Sequence, residues 1–160
     1  MVEQEQSPEG RHGGRQFGHV SVLLKEAIDF LAVRRGGTYV DATVGAGGHS
    51  FEIARRLGAP GRLIGFDKDP AALEIARARL AGVPSDVPAE LKQDWPAVEL
   101  RQASFSGIAA LPDASCDGVL ADLGLSSLQL TDAARGFSFQ AEGPLDMRMD
   151  PTSERTADQV

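Results

Sequence analysis

Cysteine is all but missing from this chain: its 160 residues hold one, Cys116. An internal disulfide is excluded, and the usage fits a reducing compartment, so a cytoplasmic location is expected. Histidine is scarce too. His12, His19 and His49 stand apart, no His/Cys cluster has metal-ligand spacing, and no metal site is expected. No run of about 18 apolar residues occurs, so no membrane span is expected. The N-terminus lacks an apolar signal-peptide core. Basic residues are outnumbered, 16 Lys and Arg against 23 Asp and Glu, for a net charge of −7. That balance argues against a protein that coats nucleic acid indiscriminately, while leaving room for a local basic patch. What remains is the composition of a soluble globular protein, long enough for one domain with a real core.

Glycine, by contrast, is concentrated where it can do chemistry. The stretch Tyr39-Val40-Asp41-Ala42-Thr43-Val44-Gly45-Ala46-Gly47-Gly48-His49-Ser50 reads as a short strand, a glycine-rich turn and the start of a helix. In an open α/β sheet, nucleotide-like ligands bind at the carboxyl ends of the strands, against such a turn. A dinucleotide fingerprint needs G-x-G-x-x-G; Gly45 and Gly47 fit, but Ser50 holds the third place. The fingerprint also asks for an acid about 20 positions on. Asp67, at the end of Arg62-Leu63-Ile64-Gly65-Phe66-Asp67, lies 22 positions after Gly45. A carboxylate there can accept both hydroxyls of an adenosine ribose.

The rest of the chain falls into alternating segments. Residues 1–18 are polar and aperiodic and are expected to form a flexible tail. Val20, Leu23, Leu24, Ala27, Ile28 and Leu31 recur at helical spacing. Strands are expected over Thr38–Ala42, Arg62–Asp67, Val98–Gln102 and Cys116–Asp122, the last apolar enough to be buried. Helices are expected over Ser50–Leu57 and from Asp69-Pro70, an N-cap and first-turn pair, to about Leu80. Residues 83–96 read as a surface excursion, Phe105–Leu111 as a short helical turn, and the chain after Asp122 as loop. Four βα-type units favour a parallel sheet with helices on both faces. We expect the strand order three, two, one, four.

That order would bring Asp122 to the same crevice as the glycine turn. There it can accept a proton or hydrogen bond from a substrate amine, or it merely caps the next helix. The segments Arg135-Gly136-Phe137-Ser138-Phe139 and Gly143-Pro144-Leu145-Asp146-Met147-Arg148-Met149-Asp150 are rich in aromatic, basic and methionine residues without helix or strand periodicity. Loops of this kind touch a ligand or pack on their own domain.

These last two segments, with His19-Val20-Ser21-Val22-Leu23-Leu24, Gly47-Gly48-His49-Ser50, Phe66-Asp67-Lys68-Asp69-Pro70, Asp122-Leu123-Gly124 and Ser126-Ser127-Leu128-Gln129-Leu130, resemble the ribosomal RNA small-subunit methyltransferase H (MraW) family. The resemblance implies a Rossmann-like class I S-adenosylmethionine (SAM)-dependent methyltransferase. It implies methylation of a cytidine N4 in small-subunit ribosomal RNA, with that RNA or the small ribosomal subunit as partner. Matched by position, Gly47, Gly48 and His49 would hold the methyl donor, Asp67 its ribose, and Phe105 would lie beside the adenine. Asp122 and Gln129 would border the donor where it meets the substrate. Family members run to about twice this length, with a helical substrate-recognition insert after Asp150. Residues 19–150 are accordingly expected to be a SAM-binding domain with the first four strands of an incomplete sheet. Residues 151–160 would then begin the insert.

The residues agree with that chemistry on their own terms. SAM carries a sulfonium cation and no phosphate, which suits a glycine turn flanked by carboxylates. Cytosine C5 methyltransferases use a cysteine nucleophile, but Cys116 opens an apolar strand, so direct transfer is expected instead. Asp122 is the candidate catalytic group, with Gln129 or the Ser126-Ser127 pair at the base edge. Two other readings stand beside this one. The chain could be a non-catalytic SAM-binding fragment, or an NAD-dependent oxidoreductase, which Ser50 disfavours.

Overall fold

The computed structural model describes residues 22–81 and 94–160. The expected flexible tail and most of the 83–96 excursion lie outside them. Strands β1 (Thr38–Asp41), β2 (Arg62–Asp67), β3 (Ala97–Gln102) and β4 (Gly118–Leu120) form one parallel sheet in the order β3-β2-β1-β4. This Rossmann-like order puts a crossover between β1 and β4, and opens a crevice above their carboxyl ends.

Helices α1 (Leu24–Leu31), α2 (Gly48–Leu57) and α3 (Pro70–Ala81) all lie on one face of the sheet. Ile28, Ile53, Leu57, Leu73 and Leu80 from these helices pack on Tyr39, Leu63 and Leu120. Each such side chain, fully buried, contributes roughly 1.5–3 kcal/mol. The expectation of helices on both faces needs correction. The other face carries Val40, Ile64 and Phe66, and is covered by Ala103, Ile108, Leu111 and Cys116, from a 3-10 helix (Phe105–Ala110) and its flanks. A six-residue 3-10 segment cannot span a four-stranded sheet, so part of this face stays open.

The fourth strand is also shorter and more exposed than expected. At its start Asp117 donates its amide to the Thr38 carbonyl at 2.7 Å, while its side chain pairs with Arg34 at 2.6 Å and accepts the Thr38 amide at 2.9 Å. At its end the Asp122 amide turns to Thr43 Oγ1 at 2.7 Å. Val119 pairs in register with Val40 on the sparsely covered face, and is 46% exposed. Alternation along the strand buries Leu120 and not Val119.

Helix α3 begins as the sequence predicts: Asp69 Oδ1 accepts the Ala71 amide at 3.0 Å, with Pro70 at the first helical position. Helix α2 starts at Gly48, two residues before the expected Ser50. The chain after Asp122 is not simply loop. It forms α4 (Ser127–Thr131) and a 3-10 turn (Ala133–Arg135). The signal was present in Ser126-Ser127-Leu128-Gln129: Ser126 Oγ accepts the Gln129 amide, and Gln129 Oε1 accepts the Ser126 amide, a capping box.

Candidate active site

The carboxyl ends of β1, β2 and β4 open into a cleft of about 810 Å³. Its floor is the turn after β1. Val44 donates its amide to the Phe66 carbonyl at 3.0 Å, fastening the turn to β2. Gly45 adopts φ +52° and donates to Asp67 Oδ2 at 2.7 Å. Asp67 Oδ1 accepts the Asp69 amide at 2.8 Å. Each carboxylate oxygen of Asp67 therefore meets one backbone N–H and has lone-pair capacity left for a ligand.

Six of the seven expected site residues line this cleft: Gly48, His49, Asp67, Phe105, Asp122 and Gln129. Gly47 sits behind the wall. A Cβ there would come within 3.1 Å of Ala76 Cβ on α3, and its φ of +80° is left-handed. Gly47 thus lets α2 start tight against α3, whereas Gly45, where a Cβ would meet nothing within 4 Å, presents bare backbone to the cleft.

His49 and Asp122 face one another. His49 Nδ1 lies 3.9 Å from Asp122 Oδ2. The His49 side chain is 7% exposed and its buried Nε2 has no hydrogen-bond partner. The Asp122 side chain is half exposed and is not the cap of α4, which is Ser126. Its carboxylate is accordingly placed to meet something in the cleft. Gln129 is buried, and its Oε1 is committed to the Ser126 amide, which limits what it can offer a base edge.

Sequence reasoning missed the group beneath the turn. Asp41 is fully buried, accepting Ser50 Oγ at 2.6 Å and the Thr43 amide at 3.1 Å. Burial pushes its carboxyl above the ordinary carboxylate range, against the lowering effect of those two hydrogen bonds. Thr43 in turn receives the Asp122 amide, so one buried acid organises both the turn and the Asp122 loop. The signal was an aspartate closing an apolar strand, with Ser50 standing where the fingerprint wants glycine. Met149 and Arg79 also line the cleft, and Arg79 reaches the Ala46 carbonyl at 3.2 Å. Cys116 is on the other face of the sheet, outside the cleft. Among the described residues no cluster of His, Cys, Asp and Glu could hold a metal ion.

Known proteins resemble this chain closely. The ribosomal RNA small subunit methyltransferase H of Koribacter versatilis (strain Ellin345) is 62% identical over 159 residues, covering 99% of this chain and 50% of that relative. The protein of the same name from Acidobacterium capsulatum is 55% identical over 143 residues, covering 89% of this chain and 47% of the relative. The chain thus spans about half the length of these curated relatives. A crystal structure of an RNA methyltransferase from Salinibacter ruber in complex with S-adenosyl-L-homocysteine aligns with 70% of this chain and 63% of that one, at 19% identity and a TM-score of 0.47. Residues 16–160 match the family model described as the MraW methylase family, and the chain belongs to that family.

Proposed function

We propose that the cleft binds SAM and that the protein transfers its methyl group to the N4 of a cytidine in small-subunit ribosomal RNA. One observation carries the reading: a single cleft gathers bare glycine backbone, an acid at the end of β2, an aromatic ring and a half-exposed acid beyond β4. The two relatives named above are ribosomal RNA small subunit methyltransferases, which supports the RNA substrate. A cytoplasmic location goes with a ribosomal substrate.

The residues fit the donor. Its cationic sulfonium suits a cleft with Asp67, Asp69 and Asp122 on its walls, and the open space over Gly45 admits a ligand against the main chain. The His49 ring also lines the cleft, with Nδ1 3.9 Å from Asp122 Oδ2. SAM brings an electrophilic methyl group. In this assignment Asp67 takes the ribose hydroxyls, Phe105 flanks the adenine, and Gly45, Gly48 and His49 form the floor. Asp122 would accept a hydrogen bond from the cytidine amine and take its proton as the new N–C bond forms and the donor's S–C bond breaks. The remaining contribution is alignment of amine and methyl in line. Cys116 has no part, being outside the cleft.

The test is incorporation of labelled methyl into small ribosomal subunits, followed by digestion to nucleosides. N4-methylcytidine is the expected product; label in any other nucleoside would overturn the assignment. The chain's span of about half its relatives supports a second reading, a SAM-binding module that does not turn over alone. Tight S-adenosylhomocysteine binding without incorporation would select it.

A further inference from the structure

Arg135 is drawn into the domain. Its side chain is 16% exposed and that of its partner Asp69 is 2% exposed. Nη1 donates to Asp69 Oδ2 at 2.8 Å. Nη2 donates to the carbonyls of Arg148 at 3.1 Å and Met149 at 2.8 Å. The Arg135 carbonyl accepts the Met147 amide at 3.1 Å. Four bonds therefore fasten the 147–149 segment and the start of α3 to one residue.

Asp69 passes the connection on. Its amide donates to Asp67 Oδ1 at 2.8 Å, and Asp67 Oδ2 receives the Gly45 amide at 2.7 Å. An unbroken run of hydrogen bonds leads from the Met149 carbonyl through Arg135, Asp69 and Asp67 to the glycine turn. Met149 and Asp67, both members of this run, line the cleft. A second observation shows that the approach is built in. Gly136, with φ +76°, would place a Cβ 2.4 Å from the Pro144 carbonyl oxygen and 2.7 Å from the Asp146 amide. Only glycine lets the 144–147 segment come this close to the residue after Arg135.

We infer that Arg135 is a positioning residue that holds the Met149 wall of the cleft in register with Asp67, so that a ligand on Asp67 is felt by the 146–150 segment. The choice of arginine follows from the geometry. A planar fork can serve a carboxylate on one nitrogen and two carbonyls on the other; a lysine ammonium can replace the charge but not that pattern. The ligand-dependent half of the inference rests on the cleft being the SAM site; the two-sided strut does not.

The test is hydrogen exchange, followed by mass spectrometry, on the 160-residue chain and its Arg135→Lys variant. Without ligand, the variant should exchange at least about tenfold faster in peptides covering 146–150 and also in those covering 68–73. That is the fold-change one charge-assisted hydrogen bond supplies to local opening. Peptides from α2 should be unchanged. Acceleration on one side only, or on neither, would overturn the strut. Asp69→Asn, which keeps volume and shape, should give the same two-sided loosening, and the double variant should be no looser at 146–150 than Arg135→Lys alone. Additive loosening would mean two unrelated contacts and would also overturn it. With saturating S-adenosylhomocysteine, the wild type should gain protection at 146–150 and Arg135→Lys should not. Equal protection in the variant would refute the coupling. Absence of binding to the wild type in calorimetry would refute the donor assignment, while the ligand-free comparison would still decide the role of Arg135.

Discussion

Gly45 donates its amide to Asp67 Oδ2 at 2.7 Å, so the turn after β1 and the acid that ends β2 are one unit. The bond explains why the two occur together at a set spacing. The acid shapes the backbone cradle as well as offering oxygens to a ligand.

The first prediction follows from that double role. Asp67→Ala should weaken S-adenosylhomocysteine binding by about 10- to 100-fold, the equivalent of roughly 1.5–3 kcal/mol for a hydrogen bond to a charged group. The domain should stay folded, because the two apolar clusters of the core pack without Asp67. Calorimetry on wild type and variant checks the affinity, and circular dichroism the fold. An unchanged dissociation constant would remove Asp67 from the site.

The two glycines of the turn should separate stability from binding. Gly45→Ala forces a side chain into left-handed backbone, at roughly 1–2 kcal/mol, but its methyl meets nothing within 4 Å. Gly47→Ala carries the same strain and also pushes on Ala76 of α3, for roughly 1–3 kcal/mol more. Urea denaturation should therefore rank Gly47→Ala as the less stable variant. Ligand titration should rank Gly45→Ala as the weaker binder, since its methyl occupies the cleft floor. The reverse order in either experiment would contradict the division of labour drawn here.

Much of this arrangement was legible in the residues, because it depends on local chemistry. Strand, glycine turn, helix and acid follow one another along β1, α2 and β2, and Asp69-Pro70 announces α3 within two positions. What was not legible depended on contacts distant in sequence. The Asp117 side chain at the start of β4 reaches Arg34 and Thr38, 83 and 79 residues earlier. Assigning Gly47 to α3 rather than to the ligand required knowing that Ala76 lies behind it. The Asp69–Arg135 pair spans 66 residues, which no periodicity encodes. The capping box at Ser126 was readable, but the surrounding irregular residues masked it.

Acid should loosen the C-terminal segment in a defined window. The Arg148 guanidinium grips both oxygens of Asp146, and the Arg148 amide adds a third bond, which together hold the carboxyl at about 2 against an ordinary 3.8. A depressed folded-state value means stability that is present in full above the ordinary value and lost as pH falls through the folded one. Asp146 also anchors its neighbours: its carbonyl accepts the Ala157 amide at 2.7 Å. Exchange protection over 145–158 should therefore fall between pH 3.8 and about 2. Arg148→Met should move the loss to higher pH. A carboxyl-carbon NMR titration that places wild-type Asp146 near 3.8 would refute the assignment.

The last prediction concerns β4. Its only sheet neighbour among the described residues is β1, and Val119 is 46% exposed on the sparsely covered face. An apolar edge with unpaired N–H and C=O groups is a template for another strand. Val119 does not line the cleft, so its substitution should leave ligand binding alone. The 160-residue chain should accordingly show concentration-dependent association in light scattering, and Val119→Lys should reduce it without changing S-adenosylhomocysteine affinity. A charge on an edge strand opposes pairing at little cost in stability, because the side chain already meets solvent. A wild-type chain that stays monomeric across the concentration series, with slow exchange at the amides of 118–120, would show that this edge is protected and that the exposed valine attracts no second strand.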